Sequence, residues 1–259
     1  MIRGLYTSGW SMLAIQKKMD IISNNMANVS TNGYKKDTLV LESFSKVLTK
    51  IIKDFNGTPR RSGNIGTMEL GSDVGEVFTY YSQGQLHKTS NKLDMAFSDS
   101  SDAFFTISVM DTDGNEKELY TRDGSFVKGS DNSLLTKEGY AVMGENGSIV
   151  LGSGDFFVDR DGTIIQNGEV VDKLLIKEFA DTMVLKKYGY NLVQADEDAE
   201  TRNFSGTVQQ GFSELSNVNI VREMVDMITV MRSYEANQKV LQAMDSTLEK
   251  AVNEVGAVR

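Results

Sequence analysis

A chain of 259 residues, 40% hydrophobic and 24% charged, can bury a real core in one to three domains and is not disordered by composition. It contains no Cys and a single His, His87, which excludes disulfides, thiolate metal sites and histidine clusters; no metal and no cofactor is expected. A formal charge of −9 lacks the basic footprint that phosphate binding needs, so nucleic acid is not an expected partner.

The charge is uneven along the chain. Residues 1–53 hold eight Lys/Arg against three Asp/Glu and residues 212–259 hold five against seven, so the two ends are mildly complementary and the middle is acidic. No stretch approaches the roughly 18 apolar residues of a membrane span, so membrane insertion is not expected. The N-terminus also lacks the succession of a cleavable signal, which taken alone places the protein in the cytosol.

In chain order, the first predicted element is a helix. Leu5, Met12, Met19 and Met26 recur every seven residues, with Ile15, Ile22 and Val29 three after each of the last three and Ser8 the weak position. That spacing writes a narrow coiled-coil seam. Asn24, Asn25 and Asn28 with Thr31, Asn32 and Gly33 end it, because Asn and Gly tolerate left-handed backbone. A cap and turn is the plainer reading of this Asn cluster, a polar binding site the alternative.

Leu39, Leu41, Phe44, Val47, Leu48, Ile51 and Ile52 suggest a short amphipathic helix towards the end of 34–52. Residues 54–66, with Asn56, Gly57, Pro59, Gly63, Gly66 and the basic pair Arg60 and Arg61, read as a loop or linker. Alternation at Val77, Thr79 and Tyr81 predicts an extended connector over 74–86. From about residue 93 to 179 the pattern is β-rich: Phe104-Phe105-Thr106-Ile107-Ser108-Val109 reads as a strand. Five Asx-Gly pairs, beginning at Asp113, Asp123, Asn146, Asp161 and Asn167, supply the positive φ that tight hairpins require.

The last forty residues, 217–255, read as one long helix. Ile220, Met227, Tyr234, Leu241, Leu248 and Val255 repeat at seven, Val230, Met244 and Ala251 fill positions three further on, and Asn237 is the polar break. Ser216 and Asn217 are the expected N-terminal caps and Gly256 the C-terminal stop. Between 220 and 231 only Arg222, Glu223, Asp226 and Thr229 are polar, an apolar surface too wide for one partner to cover.

Catalytic patterns are weak. Asp111, Asp113 and Asn115 open like a calcium loop, but Gly114 comes too early and Arg122 stands where a Glu is needed. There is no phosphate-binding glycine loop. His87 has no nucleophile motif beside it and reads as a surface side chain, and Asp196-Glu197-Asp198 with Glu200 reads as an exposed acidic turn. No catalytic residue is expected, and the chain is not expected to be an enzyme.

Ser23-Asn24-Asn25-Met26-Ala27-Asn28 followed by Thr31-Asn32-Gly33-Tyr34-Lys35 resembles the N-terminal signature of bacterial flagellar rod and hook proteins. Ser216-Asn217-Val218-Asn219, then Glu223-Met224-Val225 and Arg232-Ser233-Tyr234-Glu235-Ala236-Asn237-Gln238-Lys239, resembles the matching C-terminal signature. In between, Leu93-Asp94-Met95-Ala96, Tyr120-Thr121-Arg122-Asp123-Gly124-Ser125-Phe126 and the run from Leu134-Leu135-Thr136 to Gly139-Tyr140 resemble the family's central β domain. One departure stands at Ser98-Asp99-Ser100-Ser101-Asp102, where the family commonly has a glycine turn.

The resemblance, most like the distal rod type, implies an α+β fold. Paired N- and C-terminal coiled-coil-like helices (1–44 and 212–259) form one helical assembly domain, with a linker and extended connector (45–86) and an inserted antiparallel β-rich outer domain (87–211). It implies a homo-oligomeric helical polymer: a hollow tube in the basal body that transmits torque, touches other rod and hook proteins, and is exported by the flagellar apparatus without a cleaved signal. That revises the cytosolic placement. The expected assembly interface is Leu5, Met12, Ile15, Met19, Ile22, Met26, Ile220, Met227, Val230, Tyr234, Leu241, Met244 and Leu248. A hook-like subunit, or a secreted β-rich adhesin on a coiled-coil stalk, is the alternative.

Overall fold

The computed structural model describes residues 2–43, 47–50, 64–68, 72–110, 116–189, 191–196 and 199–255. Two long helices, α1 (Ile2–Ala27) and α2 (Ile220–Lys250), bracket a succession of short antiparallel strands, which makes the protein α+β. A single π turn, Ala251–Val255, continues α2.

The chain divides into two compact units, one of residues 1–24, 37–78 and 221–259 and one of residues 25–36 and 79–220. This differs from the expected boundaries. Residues 25–36 and 212–220 fold with the β-rich unit because their backbone and side chains are hydrogen-bonded into it. Residues 37–43, expected in the helical domain, form the strand Asp37–Ser43, which pairs with Ser72–Thr79 in the stretch expected to be extended, and within the expected linker Val47–Lys50 pairs with Asn64–Met68. The short helix expected near 47–50 is therefore a strand, and Gly66 lies within one. Phe44, Ile51, Ile52 and most of the expected loop fall outside the described residues.

The β-rich unit is built around the strand Ala103–Met110. Its first six residues are all buried, since alternate side chains feed two clusters. Phe105 and Ile107 pack with Met95, Phe97, Leu119, Phe126, Leu134 and Val142, while Phe104 packs with Tyr81, Phe179, Leu185 and Val193. A strand covered on both faces reads as a near-continuous apolar run, here interrupted only by Thr106 and Ser108. Glu116–Thr121 pairs along one edge of it, with Ala141–Gly144 and Ile176–Phe179 along the other. Thr106, at its centre, is fully buried and its hydroxyl has no hydrogen-bond partner among the described residues.

Three of the Asx-Gly pairs make tight turns as expected. Asn167 and Gly168 have φ of 53° and 85° between Thr163–Gln166 and Glu169–Lys173; Gly162 also has positive φ between paired strands, and Gly147, with positive φ, opens the strand Gly147–Ser148 straight after the turn at 145–146. Asp123-Gly124 is not a hairpin tip: Gly124 lies against the Met95 carbonyl, where a side chain would not fit. Asp113 lies outside the described residues.

In the helical unit, the heptad positions of α2 are its least exposed line. Val230 is buried and Met227, Tyr234, Asn237, Leu241, Met244, Leu248 and Ala251 are half-buried, with exposed residues between them. On α1, Ser8, Ala14, Ile22 and Asn25 are buried, and Leu5, Met12, Ile15, Met19 and Met26 half-buried. The helices meet where the Met244 side chain lies against Gly4. A continuous two-helix coiled coil is not supported, because most seam side chains keep part of their surface open.

Candidate functional site

The turn that ends α1 is made by its own side chains. The Asn28 carbonyl accepts from the Thr31 N–H, and the Asn28 side chain from the Thr31 hydroxyl at 3.2 Å. Gly33 has φ +70°, and a Cβ there would stand 2.5 Å from the Asp123 backbone nitrogen, so both conformation and space require glycine. Cap and turn is thus correct for Asn28. The other asparagines are tethers: Asn25, buried, accepts from the Tyr34 hydroxyl at 3.1 Å, and Asn32 donates to Ser125 at 2.9 Å. Asn191 donates to the Asn32 carbonyl, and Lys187 donates to the Lys35 carbonyl while lying over the Tyr34 ring.

Behind this turn three charged side chains are buried together. Lys35 Nζ stands 2.6 Å from Glu214 Oε1 and Arg122 Nε stands 2.6 Å from Glu214 Oε2, with side-chain exposures of only 1–3%. Lys35 also donates to the Ser82 carbonyl, Arg122 to the carbonyls of Ala103 and Ser100, and the Gly84 N–H to Glu214. The Arg122 guanidinium lies over the Phe97 ring. The Ser100 carbonyl belongs to the turn at 98–102, in which Asp99 adopts φ 66°.

The junction is electrostatically lopsided, two cations against one anion in direct contact. Burial pushes the Lys35 ammonium down and Glu214 only partly restores it, so its pKa falls from 10.5 to about 8. Burial works to raise the Glu214 carboxyl, but Arg122 and then Lys35 outweigh it and hold it below the usual carboxylate range. Removing the shared anion of such a group typically costs about 3–5 kcal/mol, because the buried cations are left unpaired.

At the other end, neither expected cap residue caps α2: Ser216 accepts from the Val218 N–H, ahead of the helix, and Asn217 turns elsewhere. Its side chain accepts from the Lys36 N–H at 2.8 Å and donates to the carbonyls of Tyr80 and Ser82. The reason is length: α2 starts at Ile220, three residues on. Val218 is buried, Asn219 exposed, and Glu223, in the first turn of α2, is buried. Ile220, expected in the seam, is 40% exposed; Val221, Met224, Val225, Ile228 and Met231 are 46–67% exposed. Of the other motif residues, Ser23, Asn24, Ala27, Arg232 and Glu235 are exposed.

His87 is exposed on a strand opposite Ser213, and Asp196 pairs with Lys186 at 2.9 Å. Asp111, Asp113 and Asn115 lie outside the described residues. A cleft of about 520 Å³ is lined by Glu145, Asp161, Lys173, Lys177, Arg202 and Phe204, among others; Glu145 faces Lys173 at 3.6 Å and Asp161 accepts from Thr163. Among the described residues no helix is long and apolar enough to cross a membrane.

Three family models match the chain. "Flagella basal body rod protein" covers residues 5–35, "Flagellar hook protein FlgE/F/G D1 domain" residues 100–190, and "Flagellar basal body rod FlgEFG protein C-terminal" residues 209–254. Lys35, Arg122 and Glu214 fall one in each. The chain is 30% identical to the flagellar hook-basal body complex protein FlhO of Bacillus subtilis (strain 168), with all of both chains covered. It is 34% identical to the flagellar basal-body rod protein FlgG of Buchnera aphidicola subsp. Acyrthosiphon pisum, over 96% of this chain and 98% of that one. It is 29% identical to FlgG of Bacillus subtilis, over 98% and 99%.

Proposed function

Because the chain belongs to the flagellar basal-body rod protein family, of the FlgG type, and is a structural subunit of that rod, we propose that it polymerises through its terminal helices into a hollow helical tube that carries motor torque towards the hook. The observation that supports this most is the first half of α2. Its seam is partly covered, while Val221, Met224, Val225, Ile228 and Met231 on its other sides are left in water. On α1, Tyr6, Trp10 and Leu13 likewise present an exposed apolar stripe, at 45–64%. Soluble monomers rarely leave so much apolar helix surface open without a partner for it. Head-to-tail packing of neighbouring copies buries such surfaces without closing a ring, and a helical polymer results.

In this reading Leu5, Met12, Ile15, Met19, Ile22, Met26, Ile220, Met227, Val230, Tyr234, Leu241, Met244 and Leu248 belong to the assembly layer. Other rod and hook proteins adjoin at the ends, with the distal rod the position favoured. Delivery is by the flagellar export apparatus without cleavage of the N-terminal helix.

Met19→Lys and Leu241→Lys test it. Each would place an unpaired charge in the packed tube at a cost of several kcal/mol per subunit, but remain close to water in the monomer. The expected outcome is an unchanged melting curve of the monomer's β-rich unit together with lost filament formation and lost swimming. A motile strain carrying Leu241→Lys overturns the assignment to this seam. An adhesive β domain with incidental helices predicts retained binding activity and a change confined to oligomeric state.

A further inference from the structure

We infer that Glu214 is a closing bolt: the β-rich unit cannot shut until the C-terminal strand brings this one carboxylate to the two cations already placed by residues 35 and 122. The chain order and the burial carry the argument. Lys35 and Arg122 lie 179 and 92 residues before Glu214, and in the closed unit both are sealed from water. Without Glu214, closing would bury two like charges side by side, each disfavouring the other. The backbone reinforces the order, because the Gly33 N–H donates to the Glu214 carbonyl at 2.8 Å and the Gly84 N–H to its side chain at 2.8 Å. Asp102 adds favourable field at Lys35 from a distance but makes no ion pair with it among the described residues. The apolar core around Phe104 and Phe105 is complete by residue 208, so without this bolt a chain appearing from its N-terminus could close earlier. The bolt keeps such a chain open until nearly all of it has appeared, whether it emerges by synthesis or by passage through a channel.

Full-length variants test the bolt through its asymmetry. Glu214→Gln leaves two unbalanced cations and should raise the unfolding equilibrium constant of the β-rich unit about 100-fold or more. Lys35→Met leaves a balanced Arg122–Glu214 pair and should raise it ten-fold or less. A merely space-filling junction predicts comparable losses, and equal effects overturn the inference. Order is read separately, by brief protease pulses during cell-free synthesis of the full chain. Resistance of the strand Ala103–Met110 should begin only in chains that have passed residue 214; resistance in shorter chains overturns the inference. Neither readout depends on polymer formation, so failure here and failure of the rod reading are distinguishable.

Discussion

At Lys35 the fold tolerates an ammonium ion under conditions that favour losing its proton. Its pKa drops from 10.5 to about 8, so between those values the unfolded chain holds a proton that the folded chain has shed. Unfolding free energy therefore gains a rising contribution from about pH 8 to 10.5, worth no more than about 3 kcal/mol, and below pH 8 the full cost of burying the charge is present. Urea titrations across that window should show the rise in the wild type and lose it in Lys35→Met; parallel curves would remove Lys35 as its source. For Glu214 the sign is opposite: its contribution is present above the ordinary carboxylate pKa and fades as pH falls through the depressed one. Neither role was legible in the sequence. Lys35 and Arg122 stood inside motifs whose resemblance marked them without explaining them, and Glu214 sat in an unremarkable Phe-Ser-Glu-Leu run. An ion pair between residues 179 apart leaves no periodicity to read.

Elements were more legible than residues, for a physical reason. The seven-residue repeat of α1 and α2 and the Asx-Gly punctuation of the hairpins are local signals, and both helices and three of the turns follow them. The segment Val47–Lys50 was misread because a short apolar run suits either a helix or a strand, and only its pairing with Asn64–Met68 decides. Asn217 was misread because a polar side chain ahead of a helix is a cap by default. It serves instead as a staple, joining the Lys36 N–H to the carbonyls of Tyr80 and Ser82. Asn217→Ala should accordingly lower the stability of the β-rich unit by about 1 kcal/mol, since the part-buried Lys36 N–H loses its acceptor while the exposed Tyr80 and Ser82 carbonyls return to water. The far-UV helix signal of α2 should be unchanged; a loss of helix without loss of β-unit stability would restore the cap.

For the whole molecule, the matches at both ends and in the centre span most of the chain, and full-length relatives align over all or nearly all of it. The proposed export route retains the N-terminal helix, because loss of residues 5–26 would delete one side of the assembly seam. Mass spectrometry of protein recovered from basal bodies should find a mature chain that still contains Leu5 and Met26. A mature terminus beyond Met26 would contradict the route.

The hydroxyl of Thr106 sits at the middle of the most deeply covered strand with nothing among the described residues to bond to. A buried polar atom left in this way typically costs about 1–3 kcal/mol, and valine has nearly the same shape without it. A fold near the edge of viability could not retain such a defect at its centre. Natural chains stop improving once they clear the threshold that selection enforces. If the subunit polymerises as proposed, that threshold is set on a subunit held by its neighbours, and a defect that costs the lone subunit this little meets no selection against it.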